Sequence, residues 1–303
     1  MCKLLINKLS KFTIALSAIS ATTFANADIL TSVRPLGFIA SSIADGVTKT
    51  QILIPAGASP HDYNMKPSDA KRVRDAEFVL WIGKDIDAFL EKSIAQRDAT
   101  SVLTISKLAG IESLLGETSA HDHDHHHSTN ELEQDWHVWF SPKISEQVAE
   151  QLAQQLTQLY PQHQAKIAAN LETFKQQLTT TNQQITQQLA EFKDQGFYVF
   201  HDAYRYFENA YGLQQTGYFT INPLIAPGAK KLAKIKEEIN EHKVKCLFAE
   251  PQFTPKVLQT LQQSTNVKIG QLDPMGEKIA LGKGSYSAFL QQIAEDFSDC
   301  LKN

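Results

Sequence analysis

Three isolated histidines are the residues of this chain best suited to bind a metal ion. They stand in short turn-like phrases, Ser-Pro-His61-Asp-Tyr, Asp-Trp-His137-Val-Trp and Phe-His201-Asp-Ala-Tyr. Neutral imidazole is the commonest protein ligand for transition metals. A single histidine after a strand is more often a hydrogen-bonded turn residue, but three dispersed histidines can fold into one closed site. Each also has a nearby aspartate that is a candidate for orienting the ring, namely Asp62, Asp135 and Asp202.

Asp273 is the candidate fourth ligand. It directly follows a predicted strand that ends at Leu272, and Pro274 prevents the strand from continuing, although aspartate before proline is also common in turns. Three imidazoles and one carboxylate suit tetrahedral Zn²⁺, whereas manganese prefers more oxygen ligands and calcium needs several. Copper(II) binds histidine more tightly by intrinsic order, so the choice between copper and zinc would rest on geometry and supply.

A second, clustered group of histidines lies in residues 116–134. Its five members alternate with or follow aspartates and comprise His121, His123, His125, His126 and His127. The segment contains too few apolar residues to offset chain entropy, so we expect a mobile loop. One interpretation is a low-affinity collector that raises local zinc near the main site; the other is a solvated insertion that binds metal incidentally.

The N-terminus predicts export. Lys3, Lys8 and Lys11 precede the apolar stretch Phe12–Ile19, which is much shorter than the ~20 residues of a membrane span. Ala25-Asn26-Ala27 is typical of a cleavage site, so residues 1–27 are predicted to be a cleaved signal peptide, the alternative being an uncleaved anchor. The remaining 26 basic and 33 acidic residues give a net charge of −7. This acidity, with no basic stripe, argues against nucleic acid as a partner.

Cysteine usage agrees with an exported protein. Cys2 falls inside the predicted signal peptide, which leaves Cys246 and Cys300. We expect these two to form a disulfide bond in an oxidising compartment, the alternative being two buried free thiols. Closing that loop would stabilise the fold by roughly 4 kcal/mol on the chain-entropy model.

The order of predicted elements indicates an α/β protein with two lobes. Short β-branched and aromatic runs alternate with helical stretches in both halves, which predicts two parallel sheets flanked by helices. The eight predicted strands are Ile29–Val33, Gln51–Ile54, Phe78–Ile82, Val102–Ile105, Phe197–Phe200, Gln215–Phe219, Lys245–Ala249 and Val267–Leu272. His61, His201 and Asp273 follow strand ends, where ligands bind in such folds, and His137 lies between the 116–134 segment and the helix that starts at Ser141. Two ligands per lobe would place the metal in the cleft between lobes.

Long helices occupy the middle of the chain. Ser141 is the predicted cap and Pro142 the first residue of a helix that runs to about Tyr160. Apolar residues at intervals of three, four and seven then predict a linking helix over 161–193, roughly 45 Å long. The alternative is a break at the β-branched run Thr179–Thr181. The lobes would therefore cover 28–160 and 194–303. Near the start, Ser68 or Asp69 is the predicted cap of another helix.

The chain resembles periplasmic zinc-binding proteins of ABC importers, a cluster that also contains manganese-binding relatives. The resemblance covers nearly the whole chain after the predicted signal peptide. The motifs that carry it are Gly57–Tyr63 with Pro67–Asp69, His137–Pro142, His201–Tyr204 with Tyr206-Phe207, Phe219–Pro223, Phe248–Phe253 and Leu272–Gly276.

The resemblance implies two α/β lobes bridged by one long helix, with metal between them. His61, His137 and His201 match the family's histidine positions, and Asp273 matches its carboxylate position. Manganese relatives usually have glutamate at the third position, so His201 favours zinc. Some zinc members have glutamate immediately before the first histidine, whereas this chain has Pro60, which leaves Asp273 or water as fourth ligand. The Cys246–Cys300 pair resembles a disulfide of the zinc members.

We therefore expect a monomeric periplasmic binding protein that captures Zn²⁺ as a transported ligand and docks on a membrane permease, with no enzymatic activity. A zinc hydrolase is the alternative in another class, with Glu250 or Asp62 as nominal general base. The sequence has neither a His-Glu-x-x-His helix nor a Gly-x-Ser-x-Gly elbow to support it. A zinc buffer that works without a permease is the third interpretation.

Overall fold

The computed structural model describes residues 28–116, 134–221, 223, 227–241, 243–253 and 256–302. The predicted signal peptide 1–27 and the five histidines of the 116–134 segment lie outside the described residues. The predictions made for them therefore stay predictions.

Two four-stranded parallel sheets form the framework. The first, in the order β2-β1-β3-β4, comprises β1 (Asp28–Thr31), β2 (Lys49–Ile52), β3 (Phe78–Trp81) and β4 (Val102–Thr104). The second, in the order β6-β5-β7-β8, comprises β5 (Phe197–His201), β6 (Gly217–Thr220), β7 (Cys246–Ala249) and β8 (Lys268–Gln271). The equivalent strand order in both sheets confirms the predicted α/β class with two sheets.

Helices cover the sheets and connect them. They are α1 (Arg34–Ile43), α2 (Pro67–Asp75), α3 (Glu91–Ile94), α4 (Pro142–Leu159), α5 (Gln164–Leu189), α6 (Arg205–Tyr211), α7 (Ala229–Asn240), α8 (Lys256–Thr265) and α9 (Ser285–Leu301). The inner strands β3 and β5 are buried at every position, because helices pack on both faces of a parallel sheet. Among the described residues, no helix combines the length and apolar character needed to cross a lipid bilayer.

The long helix α5 is continuous, as predicted. Its 26 residues span about 39 Å. The threonines that could have broken it are accommodated, because the Thr179 and Thr180 hydroxyls donate to the carbonyls of Lys175 and Gln176, each at 3.0 Å. The helix packs against α1, α4 and α9, so it lies alongside elements from both ends of the chain.

Helix starts confirm one cap prediction and correct another. Ser141 Oγ accepts the amide hydrogen of Ile144 at 3.2 Å, so Ser141 caps α4 as expected. The prediction of Ser68 or Asp69 as the cap of α2 is wrong, since that helix begins at Pro67 and the capping position is Lys66. Asp69 acts from the third helical position, where its carboxylate accepts the Lys66 amide hydrogen at 2.9 Å. Proline is favoured at the first helical position, which explains the earlier start.

The last helix holds the two halves together. α9 packs against α1 from the first half and against α5 and β8. The predicted disulfide is present, and it joins Cys246 on β7 to Cys300 near the end of α9, with a Cα–Cα distance of 5.9 Å. The lobe limits 28–160 and 194–303 remain a prediction, because α9 contacts elements on both sides of the division.

Candidate metal centre

The three predicted histidines come from three different parts of the chain, and two of them lie beyond or at the end of a strand. His61 lies in the loop between β2 and α2, and His201 is the last residue of β5. His137 immediately precedes a single helical turn, Val138–Phe140, that leads into α4. Because the carboxyl ends of both parallel sheets face the same space, side chains from loops far apart in sequence meet there.

The imidazole rings converge on one point. The Nε2 atoms of His61 and His137 are 3.2 Å apart, and those of His137 and His201 are 3.1 Å apart. Zinc–nitrogen bonds of 2.0–2.1 Å in a tetrahedral site place ligand nitrogens about 3.3 Å from each other. These two spacings are therefore those of a zinc ligand set, and the ligand nitrogens of all three rings lie within 4.8 Å of one another, which makes the three histidines a group of described residues able to hold a metal ion.

Two buried carboxylates fix the orientation of two rings. Asp135 Oδ1 lies 2.7 Å from His137 Nδ1, and Glu250 Oε1 lies 2.7 Å from His201 Nδ1. When each neutral ring donates its Nδ1 hydrogen to a carboxylate, its Nε2 keeps a lone pair. Two lone pairs 3.1 Å apart cannot hydrogen-bond to one another, but a cation between them satisfies both.

The pKa values of His61 and His201 are shifted in opposite directions. Burial, followed by the neighbouring imidazoles of His201 and His137, holds the pKa of His61 well below its usual value. For His201, burial also favours the neutral ring, but the charge and hydrogen bond of Glu250 outweigh it and raise the pKa. His61 is therefore neutral and able to coordinate at neutral pH, whereas a proton competes more strongly for His201.

The space between the rings is small and mostly apolar. A cavity of about 10 Å³ lies beside the three imidazoles, enough for one water-sized species. Its other walls are formed by Ser59, Pro60, Trp139, Glu250, Gln252, Phe253, Pro274 and Met275. Pro60 stands against the site without a side chain that can coordinate. The cavity therefore suits a single ion and excludes a larger ligand.

Asp273 lies outside the imidazole group. Its Oδ1 accepts the amide hydrogen of Met275 at 3.0 Å and the Gln252 side chain at 3.2 Å, and its Oδ2 accepts the amide hydrogen of Glu277 at 2.6 Å. These hydrogen bonds fix the turn that follows β8. The structure thus brings the three histidines together and engages the predicted carboxylate elsewhere.

Of the aspartates predicted to orient the histidine rings, Asp135 does so and Asp202 does not. Asp135 orients His137, whereas Asp202 pairs with Arg205 at 2.9 Å and accepts the Gln215 side chain at 2.8 Å. Glu250 orients His201, a role that the sequence did not predict, since the residue was named there only as a nominal general base of the hydrolase alternative. The available signal was its position directly after β7, the strand next to β5.

Comparison with known proteins identifies the family. A family model described as "Zinc-uptake complex component A periplasmic" matches residues 29–300. The chain belongs to this family. Its members are binding components of uptake systems, so the expectation that the protein is not an enzyme is confirmed.

Individual relatives agree over almost the full length. A protein of Haemophilus influenzae named high-affinity zinc uptake system protein ZnuA is 52% identical over 329 residues, covering 95% of this chain and 97% of that protein. A protein of the same name from Yersinia pestis is 42% identical, covering 92% of each. A solved structure described as "Crystal structure of ZnuA" matches with a TM-score of 0.77 at 24% identity, covering 91% of this chain and 99% of the other. This last likeness supports the fold.

Proposed function

We propose that the protein captures Zn²⁺ in the periplasm, between its two sheets, and delivers it to an ABC permease. The observation that carries the proposal is the convergence of three imidazoles: His137 Nε2 lies 3.2 Å from His61 Nε2 and 3.1 Å from His201 Nε2, and carboxylates orient the rings of His137 and His201. Zinc is the cargo here, so the site has to bind it and later release it unchanged. The relatives' shared name, high-affinity zinc uptake system protein, supports zinc as the ion.

His61, His137 and His201 are the proposed ligands. Water is favoured as the fourth ligand, because Asp273 would have to give up hydrogen bonds to two backbone amides before it could coordinate. The histidines at 121, 123, 125, 126 and 127 are proposed as a separate low-affinity group. The proposal also includes cleavage of residues 1–27 on export and a monomeric state.

Equilibrium titration with Zn²⁺, Mn²⁺ and Cu²⁺ tests the site. We expect one tightly bound zinc for the protein lacking the 121–127 run, and at least a 100-fold loss of zinc affinity for each of His61→Ala, His137→Ala and His201→Ala. His163→Ala is the matched control, because this histidine follows α4 and is not part of the imidazole group. Tight zinc binding that survives all three ligand changes would refute the assignment.

Dependence on a permease is tested in cells. We expect the protein to restore growth of a zinc-starved strain only when an ABC zinc permease is co-expressed. Rescue without the permease would indicate a periplasmic buffer, and rescue by the His201→Ala variant would indicate that zinc capture is not the function.

A further inference from the structure

His61 is held differently from the other two imidazoles. His137 and His201 are buried and each has a carboxylate at Nδ1. His61 is only partly buried, and within the described ranges its Nδ1 has no hydrogen-bond partner. The position of its ring therefore depends on the backbone of the loop between β2 and α2.

The Glu277 side chain accepts a hydrogen bond from that loop across the cleft. The amide hydrogen of Gly57, four residues before His61, is donated to Glu277 Oε1 at 2.6 Å. The same oxygen accepts the Gln252 side-chain amide at 2.8 Å. Gln252 follows Glu250 by two residues and lines the metal cavity. One carboxylate oxygen thus joins the loop that carries His61 to the loop that orients His201.

The backbone that carries Glu277 is fixed. Arg34 on α1 donates to the carbonyls of Gly276 and Ile279, at 3.1 and 2.5 Å. Gly276 has φ +62° and sits so close to Phe38 and Phe289 that a Cβ would come within 2.8 Å of each ring. Only glycine fits such a position without strain. The groups that can move are accordingly the Glu277 side chain and the two loops that it joins.

We propose that Glu277 is the positioning residue for His61 and that it controls the rate at which the ion leaves. With its two hydrogen bonds made, the Gly57 loop is closed and His61 points at the other two imidazoles. When they break, the His61 loop can move away while His137 and His201 remain held by their carboxylates. The inference deepens the proposed zinc capture and rests on it.

The rate of zinc loss to an excess of a fast chelator, followed by stopped-flow, tests this role. We expect Glu277→Ala to lose zinc about tenfold faster than the unmodified protein, equivalent to about 1.4 kcal/mol at the barrier. Glu277→Gln keeps an oxygen acceptor without the charge, so its rate should stay within about threefold. Glu295→Ala removes the same charge from an exposed position on α9 and should leave the rate unchanged.

A readout other than the rate separates positioning from a general loss of structure. The Co²⁺-substituted protein should give the same ligand-field spectrum in Glu277→Ala, and the thermal midpoint without metal should change by less than about 3 °C. An unaltered zinc dissociation rate in Glu277→Ala would overturn the inference. A Glu277→Gln variant that loses zinc as fast as Glu277→Ala would also overturn it, because the charge of the carboxylate would then be what matters. Failure of the unmodified protein to bind zinc would instead overturn the proposed function.

Discussion

Glu250 Oε1 accepts two hydrogen bonds at once, from His201 Nδ1 at 2.7 Å and from the Tyr204 hydroxyl at 3.2 Å. The carboxylate is 2% exposed, so its charge acts on His201 with little screening by water. It both aims the ring and raises the pKa of that imidazole. Zinc affinity and its pH dependence are consequently coupled through one side chain.

Replacing Glu250 by glutamine should change both properties. We expect Glu250→Gln to weaken zinc binding about 10- to 100-fold at pH 8, because the amide no longer supports a basic, oriented ring. Without the negative charge the pKa of His201 falls, so the proton competes with zinc only at lower pH. The dependence of log Kd on pH between 6.5 and 7.5 should therefore be shallower than in the unmodified protein. Zinc competition titrations from pH 5.5 to 8 measure both effects. An equal increase of log Kd at every pH, with the slope unchanged, would contradict the coupling. Glu295→Gln is the control variant.

Asp273 should matter far less for zinc than the histidines do. Since its carboxylate holds the turn after β8, we expect Asp273→Asn to change zinc affinity by less than tenfold and to lower the free energy of unfolding by about 1 kcal/mol. Competition with a chelator of known affinity and urea unfolding provide the two values. A loss of affinity as large as that of His137→Ala would place Asp273 in the coordination sphere instead.

The buried carboxyl of Glu208 should make stability fall with rising pH. Burial raises its pKa to about 8. The folded state thus holds a proton that the unfolded chain releases near pH 4.5. The protonated carboxyl contributes stability in full below pH 4.5, and that contribution is lost as pH rises through 8. In Glu208→Gln this loss is absent, so its thermal midpoint should exceed that of the unmodified protein by about 3 °C or more at pH 9 while the two agree near pH 4.5. Calorimetry of the metal-free proteins at both pH values checks this. The same difference in thermal midpoint between the two proteins at pH 4.5 and at pH 9 would refute it.

The disulfide should stabilise the fold without serving the metal. Cys246 and Cys300 are 54 residues apart, and opening that loop should cost roughly 4 kcal/mol of unfolding free energy. We expect the double variant Cys246→Ser, Cys300→Ser to unfold at lower urea concentration yet bind zinc with unchanged affinity below its unfolding transition. A loss of zinc affinity in the folded variant would indicate that the position of β7, which leads to Glu250, depends on the bridge.

Local sequence patterns were sufficient for the strands and for singling out the three histidines that lie together. Each of the eight predicted strands overlaps an observed strand, because β-branched and aromatic residues favour strands. The three histidines were found by their separation and their turn-like surroundings. The role of Glu250 was not, because it depends on β5 lying beside β7, a pairing of residues about 50 positions apart. The hydrogen bonds of Asp273 and the cap at Lys66 depend on backbone geometry that residue types alone do not specify.

The placement of α9 limits the kind of motion available for releasing the cargo. This helix packs on α1 and on β8 together, so rotating one sheet as a rigid body away from the other would expose apolar surface along its length. Separating the two sheets widely would therefore cost more free energy than displacing single loops at the rim of the cleft. The radius of gyration in solution should then be nearly the same for the zinc-loaded and zinc-free protein.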